Sequence, residues 1–246
     1  MATVDRDILT IVEPTIALDE CFIEDAQSEE AEKEELVENQ ADTVNQQSVE
    51  GGVYPMVQIK SNKIAQNDLV SMRLECDSFI PTMQLTVSDS LSKLQDLEYP
   101  LDGTVVSLYI APRPAEEYRP LRIDFDIINI SSQPATEGEE GEPAQFTFEC
   151  VMKIPLFYAD VLQGFAEGNS FDHLLETAEG LGLGFASNED GTDDTMIRIC
   201  SQQSREEFIN LTTLSAYKDD NSFFTSYIDP FYYLCFVNIN KQFSED

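Results

Sequence analysis

The chain of 246 residues contains a single histidine, His173, which limits the catalysis that the sequence can support. His173 follows Asp172 on a predicted helix, and no nucleophile elbow, HExxH motif, P-loop or GxGxxG motif accompanies it. A Ser or Cys triad needs an imidazole base, and His173 would be the sole candidate. We therefore interpret His173 as an exposed polar residue of the helix. The sequence predicts no catalytic residue and no enzyme.

Carboxylates are abundant, but none of them forms a recognisable site. A glycosidase would hold two of the 47 Asp and Glu side chains in a cleft, usually beside aromatic platforms, and the chain has no tryptophan. The loop 188–194 (NEDGTDD) offers oxygens to calcium but lacks the spaced partners and closing Glu of an EF-hand. We interpret this loop as a solvated turn and expect no metal and no cofactor. An enzyme would require buried carboxylates of raised pKa.

The five cysteines do not form a metal clip or a disulfide framework. They are odd in number, far apart and without a CxxC pair, so the sequence predicts reduced thiols that pack in cores. These residues are Cys21, Cys76, Cys150, Cys200 and Cys235.

The charge excludes other classes of function. Lys and Arg number 14 against 47 Asp and Glu, which gives a formal net charge of −33. A chain this acidic is repelled by phosphate backbones and by anionic lipid, so a DNA-gripping groove is not expected. No stretch approaches the roughly 18 to 20 apolar residues of a membrane span, and the N-terminus lacks the basic and apolar regions of a secretory signal. We expect a soluble protein that is not conventionally exported.

Residues 1–52 are predicted to form an acidic arm, with Gly51 and Gly52 as a hinge. The first 50 residues carry 15 acidic and two basic side chains. A weak helix over 28–38 would have too few apolar residues to bury a useful stripe. The arm is either a flexible, solvating tail or a segment that a neighbouring subunit orders.

From residue 53 to about 160 the hydrophobic period is two, which predicts short half-buried strands. Proline and glycine turns separate them, and no long helix intervenes. This pattern favours an antiparallel β-barrel over 53–160. The strands are predicted near 70–76, 84–88, 104–110, 121–127 and 146–152.

Residues 161–246 are predicted to form a smaller α+β domain. Ser170 can cap a helix that ends near Leu181, and Ser204 with Glu207 makes a capping box for a second helix. A short strand over 196–200 separates the helices, and aromatic-rich strands follow over 223–228 and 231–240. The predicted fold class is therefore mostly β with an α+β second part.

Two stretches carry a family resemblance. Residues 57–110 contain an NDLV strand start, the strand FIPTMQLTVSD and the turn and strand PLDGTVVSLYI. This stretch resembles the N-terminal tube domain of baseplate hub proteins from contractile-tailed phages. Residues 169–188 and 200–243 are similar to the α/β segment that follows in hubs, and more distantly to phage late control proteins and type VI secretion spike proteins. The resemblance covers about 53–243.

The resemblance implies a trimeric ring in which two tube domains per subunit form a pseudo-sixfold annulus. Such a ring would join the tail tube to the central spike, contact other baseplate proteins and let DNA pass without specific binding. It would be assembled in the host cytoplasm and reside in the virion baseplate. This chain departs from the pattern because it shows one tube domain and the acidic arm. A second polypeptide or a further part of the chain would supply the other half.

On this interpretation, Asp124 and Asp126 on the polar face of their strand are candidate lumen-facing acids, although that face could equally be outer surface. Carboxylates in a conduit repel phosphates within a Debye length of about 8 Å. An acidic adaptor or assembly chaperone that binds a basic partner is the alternative function. The candidate inter-subunit loops contain Pro100, Asp102, Gly103, Glu139 and Glu140.

Overall fold

The computed structural model describes residues 9–16, 54–60, 62–89, 94, 104–111, 120–133, 144–159 and 161–244. The chain divides into two compact units, each discontinuous in sequence. The sheet unit comprises Leu18–Glu75 and Thr82–Lys153, and the mixed unit comprises Met1–Ala17, Cys76–Pro81 and Ile154–Asp246. The domain division drawn from the sequence at 52 and 160 stays a prediction.

The described residues are mostly β, with a few helices, which confirms the predicted fold class. The strands are β1 Leu9–Val12, β2 Tyr54–Ile59, β3 Asn62–Lys63, β4 Leu69–Glu75, β5 Thr82–Asp89, β6 Val105–Ala111, β7 Leu121–Gln133, β8 Ala144–Met152, β9 Val161–Gly168, β10 Gly184–Ser187, β11 Met196–Gln203, β12 Phe224–Ile228 and β13 Tyr233–Asn238. The helices are α1 Ser170–Leu181, α2 Arg205–Leu214 and α3 Ile239–Ser244, and a 3₁₀ turn covers Gln66–Asp68.

The sheet unit contains a seven-stranded antiparallel sheet of order β3-β2-β6-β7-β8-β5-β4, curled into a half-barrel. The period-two strands predicted from the sequence are confirmed, because alternate residues of the central strands are buried. The apolar face includes side chains with no exposed surface: Ile59, Leu85, Leu108, Phe125 and Phe148.

The mixed unit contains a four-stranded sheet of order β1-β10-β13-β12, and a separate ribbon of β9 and β11. Strands β10 and β13 are parallel, and every residue in both is buried. Strands that are covered on both faces do not show the alternation of apolar and polar residues that marks a half-buried strand. The four residues of β10 therefore carry no periodic signal, and the sequence analysis missed this strand. Strand β1 was also missed, because it lies within the predicted acidic arm. The helix predicted over 28–38 lies outside the described residues.

Helix α1 packs its apolar side against this sheet. Phe171 meets Phe185 edge-on at 5.2 Å between ring centroids, and Phe236 stacks on Phe224 at 4.6 Å. These pairs place the aromatic residues of the helix and the strands in one core. Among the described residues, no helix combines the length and apolar character that a membrane crossing requires.

Two local predictions about α1 need correction. Its N-cap is Asn169, whose Oδ1 accepts from the Asp172 amide at 2.8 Å, and Ser170 is already inside the helix. His173 is 3% exposed, so its interpretation as an exposed polar residue is wrong. The buried side of α1 is wide enough to include Thr177, whose hydroxyl donates to the His173 carbonyl at 2.7 Å. The predicted capping box of α2 is confirmed in its first half, since Ser204 accepts from the Glu207 amide at 3.2 Å.

Candidate assembly surfaces

The structure places the two candidate lumen acids two residues apart on β7, in different environments. Asp124 is 1% exposed, and Arg122 Nη2 lies 3.6 Å from its Oδ2. The register aligns Asp124 with Ser107 of β6 and Ser107 with Gln58 of β2, and all three are buried. The expected exposure of Asp124 is therefore wrong, because this part of the polar face is covered. Asp126 is half-buried, and its place in a lumen stays a prediction.

The candidate inter-subunit loop residues Pro100, Asp102, Gly103, Glu139 and Glu140 lie outside the described residues. The strands that carry the second loop are described: β7 and β8 pair as far as Gln133 opposite Gln145. Glu139 and Glu140 therefore belong to the connection of this hairpin. Their role in subunit contacts stays a prediction.

Strand β4 forms one edge of the seven-stranded sheet and, in the described part of the chain, pairs only with β5. An edge strand presents unpaired backbone donors and acceptors that can pair with another strand. Val70 on this edge is 52% exposed. Arg73 and Glu75 form an exposed ion pair at 2.8 Å, and the ladder is irregular between Leu69 and Ser71. Charge and irregularity restrain indiscriminate pairing but leave the edge open.

The β9–β11 ribbon exposes a second apolar surface. Ile197 and Ile199 occupy alternate positions of β11 and are 71% and 64% exposed. Arg198 lies between them and points the other way, where its Nη2 donates to the Ser170 hydroxyl at 2.7 Å. Adjacent exposed isoleucines are the kind of surface that a partner covers.

The acidic loop 188–194 is fixed at its C-terminal end by Asp194. Asp194 accepts from the Ser170 amide at 3.3 Å and from the Ser170 hydroxyl, and Arg198 Nη2 lies 3.3 Å from its Oδ2. Burial alone would raise the pKa of Asp194, but hydrogen bonds from Ser170 and Thr192 outweigh it and hold this pKa below its ordinary value. The ionised carboxylate ties the loop to the start of α1.

The N-terminal end of this loop is fixed by Glu189, which is 7% exposed. Asn238 Nδ2 and Lys218 Nζ each donate to Glu189 at 2.9 Å, and Lys241 Nζ lies 3.5 Å away. Burial would raise the pKa of Glu189, but the hydrogen bonds from Lys218 and Asn238 outweigh it and lower this pKa. Lys218 also donates to Asp190 at 2.9 Å.

The loop is therefore a structural clasp and not the solvated turn that the sequence suggested. Its acids bind ammonium, guanidinium, amide and hydroxyl donors of this chain. The sequence analysis missed this role because the lysines that neutralise Glu189 lie far along the chain, at 218 and 241. Within the ranges that the structure describes, no three His, Cys, Asp or Glu side chains come close enough together to hold a metal ion.

Cys76, Cys150 and Cys235 are free thiols. Cys150 and Cys235 are buried, and burial is the main cause that raises the pKa of each to about 12. Cys76 is exposed, and partial burial together with Asp77 and Asp229 raises its pKa. The thiolate is the nucleophilic form, so none of the three is activated at neutral pH.

No family model matches this chain, and no curated protein matches it in sequence. Among solved structures, it is similar to the 43 kDa tail protein of prophage MuSo2 from Shewanella oneidensis, with a TM-score of 0.47 and 8% identity over 75% of this chain and 54% of that one. It is also similar to a tail protein from Neisseria meningitidis MC58, with a TM-score of 0.47 and 7% identity over 75% and 50% of the two chains.

A third similar structure is a prophage tail protein from Listeria monocytogenes EGD-e, with a TM-score of 0.41 and 11% identity over 75% and 50% of the two chains. All three solved structures are tail proteins, and two of them come from prophages. The chain spans about half the length of each.

Proposed function

We propose that this protein is a structural component of a contractile phage tail baseplate: a hub or tube initiator that joins the tail tube to the central spike and lines the DNA conduit. The seven-stranded antiparallel sheet carries the proposal. Its strands bury an apolar face, it curls as a half-barrel, and in the described part of the chain it ends at the edge strand β4. A curled sheet with an edge strand can be continued by the sheet of a neighbouring subunit, and repetition of that contact about an axis would close a ring.

In this proposal the partners are other copies of the chain, arranged as a trimer, together with the tail tube protein, the central spike protein and other baseplate proteins. The protein resides in the virion tail after assembly in the host cytoplasm. It acts through shape and charge and performs no catalysis. The acids of the 188–194 loop, which could otherwise suggest a site, serve to hold the mixed unit together.

The charge of −33 supports a conduit through which DNA passes without binding. Carboxylates repel phosphates at separations up to a Debye length, about 8 Å at physiological salt. Asp126 is the candidate for this role on β7, since it retains solvent contact whereas Asp124 is buried.

The test replaces an exposed edge residue and asks whether rings still form. Val70→Lys adds a charge to the β4 edge, and Gln145→Lys adds the same charge at an exposed position of the interior strand β8. We expect the wild type and Gln145→Lys to give rings with an open centre by negative-stain microscopy, alone or mixed with tail proteins. Val70→Lys should keep its circular dichroism spectrum and fail to form rings.

A wild-type chain that stays monomeric by light scattering, even with candidate tail proteins present, would contradict the hub. That result would favour the acidic adaptor or assembly chaperone, and the next measurement would be its binding to a basic partner.

A further inference from the structure

Strand β1 is an extended segment added to the edge of the mixed unit's sheet. It pairs antiparallel with β10, with Leu9 opposite Ser187 and Val12 opposite Phe185. The contact continues past the strand, where the Thr15 amide donates to the Gly182 carbonyl at 2.8 Å. The segment 9–16 thus follows one edge from β10 to the end of α1, which is the geometry of β-strand addition.

The surface under this segment is shaped for it. Gly184 has no side chain, and a Cβ there would lie 2.5 Å from the Tyr233 ring and 2.9 Å from Pro14 Cδ. Gly182 adopts a φ of 74°, and a Cβ there would lie 3.3 Å from Ile16 Cα. The absence of both side chains lets the segment approach closely.

A polar contact adds specificity to this surface. Tyr233 hydrogen-bonds through its hydroxyl to Glu13 Oε2, on the residue before Pro14. Two glycines and a strand edge therefore accommodate the backbone of this segment, and the tyrosine hydroxyl binds the side chain of Glu13. Without a strand on that side, β10 would present an open edge although all of its residues are buried.

The length of the intervening chain allows either the same copy or a neighbouring copy to supply this strand. Residue 16 and the next described residue, Tyr54, are separated by residues 17–53, which number 37. A chain of that length spans up to about 120 Å when extended, more than the diameter of a unit this size, so it can reach a neighbouring subunit. The contacts on β10 are identical whichever copy provides the strand, so exchange between copies costs little free energy.

We propose that, in the assembled protein, the groove formed by β10, Gly182 and Tyr233 binds residues 9–16 of a second copy of this chain. Each copy donates its strand to a neighbour and receives one, so the N-terminal arm links subunits that β-sheet edges also join. This inference deepens the proposed function, because it assigns an inter-subunit role to the arm. A local supply of neighbouring strands raises their effective concentration at the groove and favours exchange.

The test uses a pair of cysteines that the register places opposite each other. Two full-length chains with different tags are co-expressed, one with Leu9→Cys and the other with Ser187→Cys, both with Cys76→Ser to remove an exposed thiol. Exchange predicts a disulfide-linked heterodimer of roughly twice the 27.7 kDa mass of one chain, with the bond between positions 9 and 187 identified by peptide mass spectrometry. Thr10→Cys with Ala186→Cys is the second pair, should a Ser187 variant fail to fold.

The matched control co-expresses Leu9→Cys with Asn129→Cys, an exposed position on the interior strand β7 of the sheet unit. A heterodimer in this control as strong as in the test pair would overturn the proposal, because it would indicate random collision. The proposal is also overturned if the double variant Leu9→Cys/Ser187→Cys links only within one chain and the co-expressed pair gives no heterodimer. Rings without interchain links would leave the hub proposal intact, whereas linked dimers that never form rings would contradict the hub alone.

Discussion

The two units of this protein are stabilised in different ways. In the sheet unit, each central strand buries alternate apolar residues on one face of an antiparallel sheet. In the mixed unit, β10 and β13 are buried at every position, and polar side chains join their ends. Asn188 pairs with the Asn238 backbone through two hydrogen bonds of 2.8 and 2.9 Å. The first arrangement is encoded within each strand, and the second depends on residues far apart in sequence.

This difference has an energetic consequence. An apolar face is stabilised in proportion to the area buried, and an exposed polar residue on such a sheet contributes little. A buried polar network loses much more when one member is removed, because the remaining donors and acceptors stay desolvated. We therefore expect the mixed unit to be sensitive at its polar residues and the sheet unit to be tolerant at the exposed ones.

The largest effect should follow Asn238→Ala. Asn238 is 6% exposed, donates to Glu189 at 2.9 Å and accepts from the Phe223 amide at 3.3 Å. Its loss removes one hydrogen bond to the buried Glu189, which keeps its lysine partners, and one from the Phe223 amide. We therefore expect a decrease of about 1–3 kcal/mol in the free energy of unfolding, measured by urea denaturation.

The matched control for this change is Asn129→Ala in the sheet unit. Asn129 donates to Glu149 at 3.2 Å in an exposed hydrogen bond, and its removal should change the free energy of unfolding by less than about 0.5 kcal/mol. Equal losses of unfolding free energy for the two variants would contradict the expected difference between the units.

A smaller, pH-dependent effect should follow Glu189→Gln. The folded-state pKa of Glu189 is lowered from 4.5, so its ionised form stabilises the fold above that value, and this contribution is lost as pH falls through the folded pKa. We expect Glu189→Gln to be about 1–2 kcal/mol less stable than the wild type at neutral pH, with the difference shrinking below pH 4.5.

The measurement is a series of urea denaturation curves from pH 3 to 7 for both proteins. Glu176→Gln, at an exposed position of α1, serves as the control for the loss of one acid from so negative a chain. A constant difference between the wild type and Glu189→Gln at every pH would show that the charge of Glu189 is not what holds the loop.

The same contrast explains what could be predicted from the sequence. Strands β4 to β8 of the sheet unit were predicted because the alternation that buries Leu85 and Val87 is visible in any short window, whereas β2 and β3 were missed. Strand β10 was not predicted, because its partner β13 lies far along the chain and both are covered on two faces. The burial of His173 was missed for a related reason, since helical periodicity does not show how wide a face the rest of the fold covers.

The candidate surfaces were predictable to a smaller extent. Because Asp124 is polar, the sequence analysis placed it on an exposed face. The structure buries it beside Ser107 and Gln58 of the neighbouring strands, and only the strand order reveals this arrangement. The clasp at Glu189 was hidden because its donors are distant in sequence. Edge strands are equally hard to predict from the sequence, because only the order of strands in the sheet shows that β4 lies at an edge.

The smallest effect on stability is expected at that edge, for Arg73→Ala. Arg73 is 74% exposed and pairs with Glu75 on the same strand, and exposed pairs of this kind contribute about 0.2–1 kcal/mol or less. The unfolding midpoint in urea should therefore remain within error of the wild type. A large destabilisation would mean that the β4 edge supports the fold of the single chain. If stability is unchanged, Arg73 has no folding role, and any loss of assembly on altering it can be assigned to contacts between chains.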